Sequence, residues 1–543
     1  MKNVKRVVSL LLVIVMSLGL FVGCKKEEKT ANEGERVLTV GIPQSSSIPD
    51  YNTNAFCKYL EEKTGIDITW VYFAASSSSY KQQLTLKASA NDELPDVLLG
   101  FSGLGHYLIN QFGEDGYVID LTDLIENNAP NFKAQLEYMG KEFKEFIMEK
   151  GKNTNTGEFY AMPSGSEKVI DSLQSQTWIN KNWLDKVGKS VPTTTDELYD
   201  VLKAWKAYGD LNENGEDDEI YMLLDTEVQN YILNGFVELS GNNWNVKDGK
   251  LWDPMTSDEL RQGLIYANKL TQEGLIDKLS FSVTGNTERK QIITPTEGAS
   301  KVGIWGDNYV GSTNHAMEQL TEFTALPALK DATGKGGYTI YDEYYSLSWS
   351  TMITKDCENP ELAMEFIDCF YEDETVSRMR HGEKGVDWEY QEGTTLQGTP
   401  GYVKVINSEA YSDGSLNKTV GALWLGMYTN KNFLAIKTDE SGKNTYEIET
   451  DRLYAETLEY WNAGKFQEEP IGELIYTQQE YEIREEKAGT LASFMTNAIT
   501  LFISGEQNPG NDTDWNAYLS DMKKYGREEL QKIAQDAYSR THK

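Results

Sequence analysis

VLTVGI (residues 37–42), IDITWVYF (66–73) and PDVLL (95–99) are short apolar runs separated by two helix-forming segments. Runs of this length, rich in β-branched residues, read as buried strands. Residues 54–64 between the first two form a predicted helix that Gly65 stops, and residues 80–90 form a second. Strand–helix–strand–helix order with short connections predicts an α/β fold with a doubly wound layer. Residues 121–127 (LTDLIEN) and a segment led by Pro130 continue as helices.

A second α/β unit is expected to begin near Tyr160. Residues 176–180 (QTWIN) read as a strand and 181–187 as a helix. Pro192 fixes a turn, and Thr195 is the expected N-cap of a helix over 196–208. Residues 257–272 form an amphipathic helix that stops at Gly274, and 302–305 and 323–326 are strands. Residues 360–371 make a helix with Pro at its start, where helices favour it. From Thr477 the chain is helical, interrupted at 505–514 and resuming at Trp515.

The N-terminus has its own logic. Lys2, Lys5 and Arg6 precede an apolar run over 7–22, and Gly23 stands directly before Cys24. A charged start, a short apolar stretch and a small residue describe a secretory signal. The run falls short of the ~20 residues that span a bilayer comfortably. The site resembles the bacterial lipobox, with Phe21 where that pattern prefers Leu. The resemblance implies a signal peptide over 1–23, lipidation at Cys24 and a polar spacer over 24–36. An uncleaved anchor, or an ordinary signal with a chance cysteine, stays open.

Composition excludes several classes. The net charge is -34, and losing Lys2, Lys5 and Arg6 with the leader takes it to -37. So acidic a body seeks neither nucleic acid nor an anionic lipid surface. A protein tethered outside the cytoplasmic membrane has no ATP, so nucleotide chemistry drops out. About 500 residues remain, enough for two or more cores. Cys57, Cys357 and Cys369 form no CxxC, and His106, His315, His381 and His542 are scattered, so a zinc site has no support. Buried or free thiols are expected, with one disulfide as the lesser alternative.

Residues 210–219 read DLNENGEDDE. Asp210, Asn212 and Asn214 alternate, so their oxygens can converge in a tightly turning loop, and Gly215 permits the turn. Glu216 is placed to offer its carbonyl, and Asp218 and Glu219 can close the shell. The twelfth position is Tyr221 rather than the Glu of an EF-hand, so a true EF-hand fails. The donor set suits Ca²⁺, in a structural rather than catalytic role. An acidic, solvated connection is the plain alternative.

Taken together, the residues resemble bacterial extracellular solute-binding proteins of the large carbohydrate-binding type, lipoproteins that serve ABC importers. The resemblance is carried by LEEKTGI (60–66), LPDV (94–97), INKNWLDKVGKSVPTT (179–194), LTQEGLID (270–277), ENPE (358–361), HGEKGVDW (381–388), FISG (502–505) and DWNAY (514–518). It implies a two-lobed, periplasmic-binding-protein-like fold of type II, with ligand in a hinged interlobe cleft. It also implies that Asp210, Asn212, Asn214, Glu216, Asp218 and Glu219 hold the cation. The implied lobes are 37–162 plus 345–425, and 163–344 plus 426–543. Crossings are expected near 161–165, 341–350 and 424–429.

Parallel sheets bind ligands beyond the carboxyl ends of their strands, and sugars want aromatic faces beside planar polar groups. Candidates that meet both demands are Tyr51 and Asn52, Phe101 and Ser102, and Gln174, Gln176 and Trp178. Trp305, Asp307 and Asn308, and Tyr345 and Trp349, complete the set. Trp305 leads, because Gly303 and Gly306 beside it imply a close approach to the backbone. Trp183 and Trp205 lie at helical spacings that suit a core. The expected partners are a neutral oligosaccharide and permease subunits, for a monomer held to the membrane by its lipid alone; a uronate-containing oligosaccharide stays open. A surface glycoside hydrolase is the alternative, though neither a nucleophile elbow nor HExxH nor a P-loop is present. A sensory or adhesive lipoprotein is a third.

Overall fold

The computed structural model describes residues 36–45, 48–153, 155–166, 176–239, 244–283, 286–293, 295, 298–307, 318–338, 347–395, 398–407, 425–437, 452–453, 455–460, 471, 474 and 476–541. Strands come in chain order as β1 (Val37–Pro43), β2 (Asp67–Phe73), β3 (Val97–Leu98), β4 (Met162–Ser166) and β5 (Gln176–Asn180). Next are β6 (Ile220–Met222), β7 (Asn245–Lys247), β8 (Lys250–Trp252), β9 (Val302–Asp307) and β10 (Phe323–Ala325). Last come β11 (Leu347–Ile353), β12 (Trp388–Thr394), β13 (Pro400–Val405) and β14 (Met427–Tyr428).

Two sheets carry the frame. The first runs β14-β4-β11-β3-β1-β2 and the second β10-β5-β9-β6; β7-β8 and β12-β13 are separate hairpins. Val40 opposite Val97 makes β1 and β3 the expected parallel pair. The sheet as a whole is mixed, because β11 runs antiparallel to both β3 and β4. No βαβ crossover dictates its direction, since β11 follows the strands of the second sheet in the chain. In the second sheet β5 is antiparallel to β9 and β10, and β6 is parallel to β9.

Each sheet has its own core. Val40, Leu98, Phe132, Met162, Met352, Phe366 and Met427 share the first. Ile179, Trp183, Trp205, Leu264, Phe502 and Tyr538 share a second, on one face of the second sheet. Trp178, Ile220, Trp305, Phe323 and Leu453 form a third cluster. Adjacent strand residues point to opposite faces, which is why Ile179 and Trp178 part company.

Three placements differ from the sequence expectation. Tyr160 and Ala161 belong to the first core and residues 162–165 to β4, so among the described residues the second sheet starts with β5. Likewise β14 pairs with β4, which keeps Met427 and Tyr428 in the first sheet beyond the expected boundary at 425. The alternation of burial in such short strands is too brief to say which sheet they join.

Local signals set the helix ends. Asn54 accepts from the Phe56 and Cys57 amides, and Gly65 at φ 66 ends that helix, Ala55–Thr64. Ser76 caps Ser77–Ala90, so the serine run begins the helix rather than leading into it. The cap of Thr195–Tyr208 is Thr194, not Thr195: Thr194 is extended and closes a reciprocal capping box with Glu197. Pro360–Asp368 is α-helical and gives way to a 3₁₀ turn over Cys369–Tyr371. Thr477 closes a second capping box on the 27-residue helix Gln478–Ser504. Among the described residues, no helix is long and apolar enough to cross a membrane.

Candidate functional site

Around the first sheet, most aromatic candidates face inward. Tyr51 is fully buried and packs on Trp70 and Tyr72, with ring centroids 5.4 and 5.7 Å away. Phe101 is fully buried too, edge-on to Phe73 and Tyr80 at 5.2 and 5.1 Å. Trp349 on β11 stacks on His106 at 5.3 Å and leans on Phe159. These rings are packing residues of the first core. Asn52 and Ser102 are exposed, and Asn52 turns its amide back to Asp50 at 2.8 Å.

In the second sheet Trp178 and Trp305 are directly opposed across β5 and β9, with ring centroids 4.4 Å apart. Both are fully buried, and Phe323 meets Trp305 edge-on at 5.8 Å. Neither indole Nε1 has a hydrogen-bond partner among the described residues. The close approach inferred at Gly303 is real, but its agent is the core. A Cβ there would lie 2.5 Å from Trp205 and 2.9 Å from Trp183. The backbones of Gln176 and Asp307 pair at the end of the same ladder. Cys24, Gln174, Asn308 and Tyr345 lie outside the described residues.

A charged pair lies beside the carboxyl ends of β6 and β9. Arg289 donates to the Asp225 carboxylate and, at 3.0 Å, to the Gly306 carbonyl. Asp225 also caps the helix Thr226–Leu233 by accepting from the Val228 amide at 2.9 Å. The partners lie 64 residues apart, so no local spacing announces them.

The 210–219 loop is wound around its own oxygens. The Asn214 amide donates to Asp210 Oδ1 at 3.0 Å and to Asn212 Oδ1 at 3.2 Å, which places those two oxygens side by side. Asp218 Oδ1 accepts from the side chains of both Asn212 and Asn214. Glu219 Oε1 receives the Leu211 amide at 2.6 Å, while its Oε2 is buried with no partner among the described residues. Gly215, at φ 83, makes the turn that brings them together. Among the described residues, no three Asp, Glu, His or Cys side chains already form a metal-binding group. The convergence here depends on the Asn side chains, whose oxygens each accept a backbone amide of the loop while their nitrogens face Asp218. A buried carboxylate oxygen in a loop of Asp and Asn side chains is donor chemistry that suits a hard cation.

The cysteines are plain. Cys57, Cys357 and Cys369 are free, and burial pushes the Cys57 and Cys357 thiols up to about 12.

Comparison with known proteins bears on this arrangement. The model of a family described as bacterial extracellular solute-binding protein matches residues 44–376. The fructooligosaccharide ABC transporter substrate-binding protein FusA of Streptococcus pneumoniae serotype 4 is 28% identical over 360 residues. That match covers 64% of this chain and 62% of FusA, so it spans less than two thirds of the relative. The polygalacturonan/rhamnogalacturonan-binding protein YtcQ of Bacillus subtilis is 25% identical over 417 residues, 73% of this chain and 76% of its own length. A solved structure of S. pneumoniae FusA, an EF-hand mutant in complex with fructo-nystose, has a TM-score of 0.71 at 23% identity. It covers 93% of this chain and 99% of that one. The fold is the two-lobed α/β arrangement of type II periplasmic-binding-like proteins.

Proposed function

Because the chain belongs to the bacterial extracellular solute-binding protein family, we propose that it is a receptor that closes two lobes over an oligosaccharide and delivers it to the permease of an ABC importer. The observation that carries this reading is the family match over 44–376, laid on a frame of two sheets with separate cores. The saccharides that the relatives are named for differ in charge: fructooligosaccharides for FusA, polygalacturonan and rhamnogalacturonan for YtcQ. A neutral oligosaccharide is the first choice for this chain, because FusA, named for fructooligosaccharides, is 28% identical to it and YtcQ 25%.

Calorimetry with fructo-nystose and with a polygalacturonan oligosaccharide tests the reading. Stoichiometric binding with no products supports a receptor. Turnover would make the protein a hydrolase, and binding of neither would remove the carbohydrate class.

Two finer parts belong to the same proposal. Asp210, Asn212, Asn214, Asp218 and Glu219 side chains, with the Glu216 carbonyl, would hold a structural Ca²⁺ that staples the connection into β6. Cys24 would carry the lipid that keeps the receptor at the outer face of the membrane. Incorporation of labelled palmitate that Cys24→Ser leaves unchanged would overturn the anchor.

A further inference from the structure

Two tyrosines from opposite lobes meet face to face. Tyr107, in the helix Gly105–Glu114, stacks on Tyr481 of Gln478–Ser504 with ring centroids 3.8 Å apart and planes 19° from parallel. Beside them Lys81, from Ser77–Ala90, donates to the Tyr481 hydroxyl at 3.3 Å and to Glu485 at 2.8 Å. All four side chains are only partly exposed or sit at the rim of the contact.

Their position in the topology matters more than their number. Tyr107 follows the carboxyl end of β3, the edge at which such sheets meet ligands. The Gly103 amide donates to Tyr80 at 2.6 Å, which ties the start of the Lys81 helix to that same edge. The chain leaves the first sheet after β4, returns at β11 and leaves again after β14, three strands grouped at one end of the sheet order. Lys81 and Tyr107 follow β2 and β3, which belong to the other end. Opening one lobe against the other would therefore separate the tyrosines, and closing them would bring the rings together. At a ring spacing of 3.8 Å no sugar fits between them.

We propose that Lys81, Tyr107, Tyr481 and Glu485 form an interlobe clasp that favours the closed form and raises affinity without reading the identity of the ligand. The proposal rests on the lobe-closure reading above. A contact made only in the closed form adds the same free energy to every ligand that binds that form. Such residues position the lobes and need not touch the ligand.

The test is small-angle scattering of the ligand-free protein, paired with calorimetry using fructo-nystose and a polygalacturonan oligosaccharide. Tyr481→Ala is expected to enlarge the ligand-free radius of gyration and to weaken each bound saccharide by the same factor, about two- to tenfold. Tyr481→Phe keeps the stack and should retain most of the affinity. Lys81→Glu and Glu485→Lys should each weaken binding, and the double exchange should recover it. An unchanged radius with unchanged affinities overturns the clasp. Loss for one saccharide but not the other means direct ligand contact, and tighter binding places the contact in the open form; either result also overturns it. Should the wild type bind neither saccharide, the carbohydrate reading fails, and the scattering comparison alone decides the clasp.

Discussion

Trp305 shows what a residue can and cannot announce. Its flanking glycines signal crowding, and crowding is what the structure contains. The crowding atoms, however, come from Trp183 and Trp205 on helices distant in sequence and from the Tyr221 carbonyl on β6. Sequence carries the need for space but not the identity of the neighbour. As a fully buried ring, Trp305→Ala should cost about 3–5 kcal/mol of unfolding free energy, read by urea titration. A cost below 1 kcal/mol would take Trp305 out of the core. The thiols give a second residue-scale expectation. With Cys57 and Cys357 held up near 12 by burial, few thiolates exist at pH 7.5. Iodoacetamide should label the native body slowly and Cys57, Cys357 and Cys369 together on unfolding; rapid native labelling would contradict this.

At the scale of elements, legibility follows the range of the interactions. Caps are local, and the helix starts expected at 54, 257 and 477 each fall on the residue that caps the helix, Asn54, Ser257 and Thr477. The one-residue error at Thr194 arises because two adjacent threonines offer the same hydroxyl. Only the backbone decides between them: Thr194 is extended, while Thr195 is helical and gives its carbonyl to the Tyr266 hydroxyl at 2.6 Å. Thr194→Ala should therefore destabilise by about 1 kcal/mol, through loss of the cap. No change in the urea midpoint would refute the capping box. The 210–219 loop is also locally coded, since its donors lie within ten residues of one another. Chelation with EDTA should lower the melting temperature, and Asp210→Ala should abolish that sensitivity. A wild-type melting curve indifferent to EDTA and to added Ca²⁺ would reduce the loop to a self-bonded turn.

At the scale of the molecule, the α/β class and the division into two halves were legible from the order of strands and helices. The composition of each sheet was not. β4 and β14 join the first sheet through pairings with β11 and with each other, and each pairing crosses long stretches of chain. The candidate ligand residues suffered for the same reason. A strand's carboxyl end can be found in sequence, but whether its ring turns inward or into a cleft depends on packing that distant residues supply. Tyr107 and Tyr481 make the point most sharply, because 374 positions separate residues whose rings touch.

The placement of β11 also sets a timetable. This strand lies between β3 and β4, yet its residues 347–353 arrive nearly two hundred positions after β4. A chain emerging N-terminus first must therefore hold two unpaired strand edges, with their apolar faces, while the whole second sheet is still being delivered. Unpaired edges of this kind recruit other chains, and long-range pairings form slowly. A fragment ending at residue 338 should accordingly lack the cooperative unfolding of the first core, and a fragment ending at 437 should regain it. Equal cooperativity in both, by near-ultraviolet circular dichroism on heating, would show that β11 is dispensable. If the expectation holds, the vulnerable period of this protein's life is its delivery, when a chaperone has the most to protect.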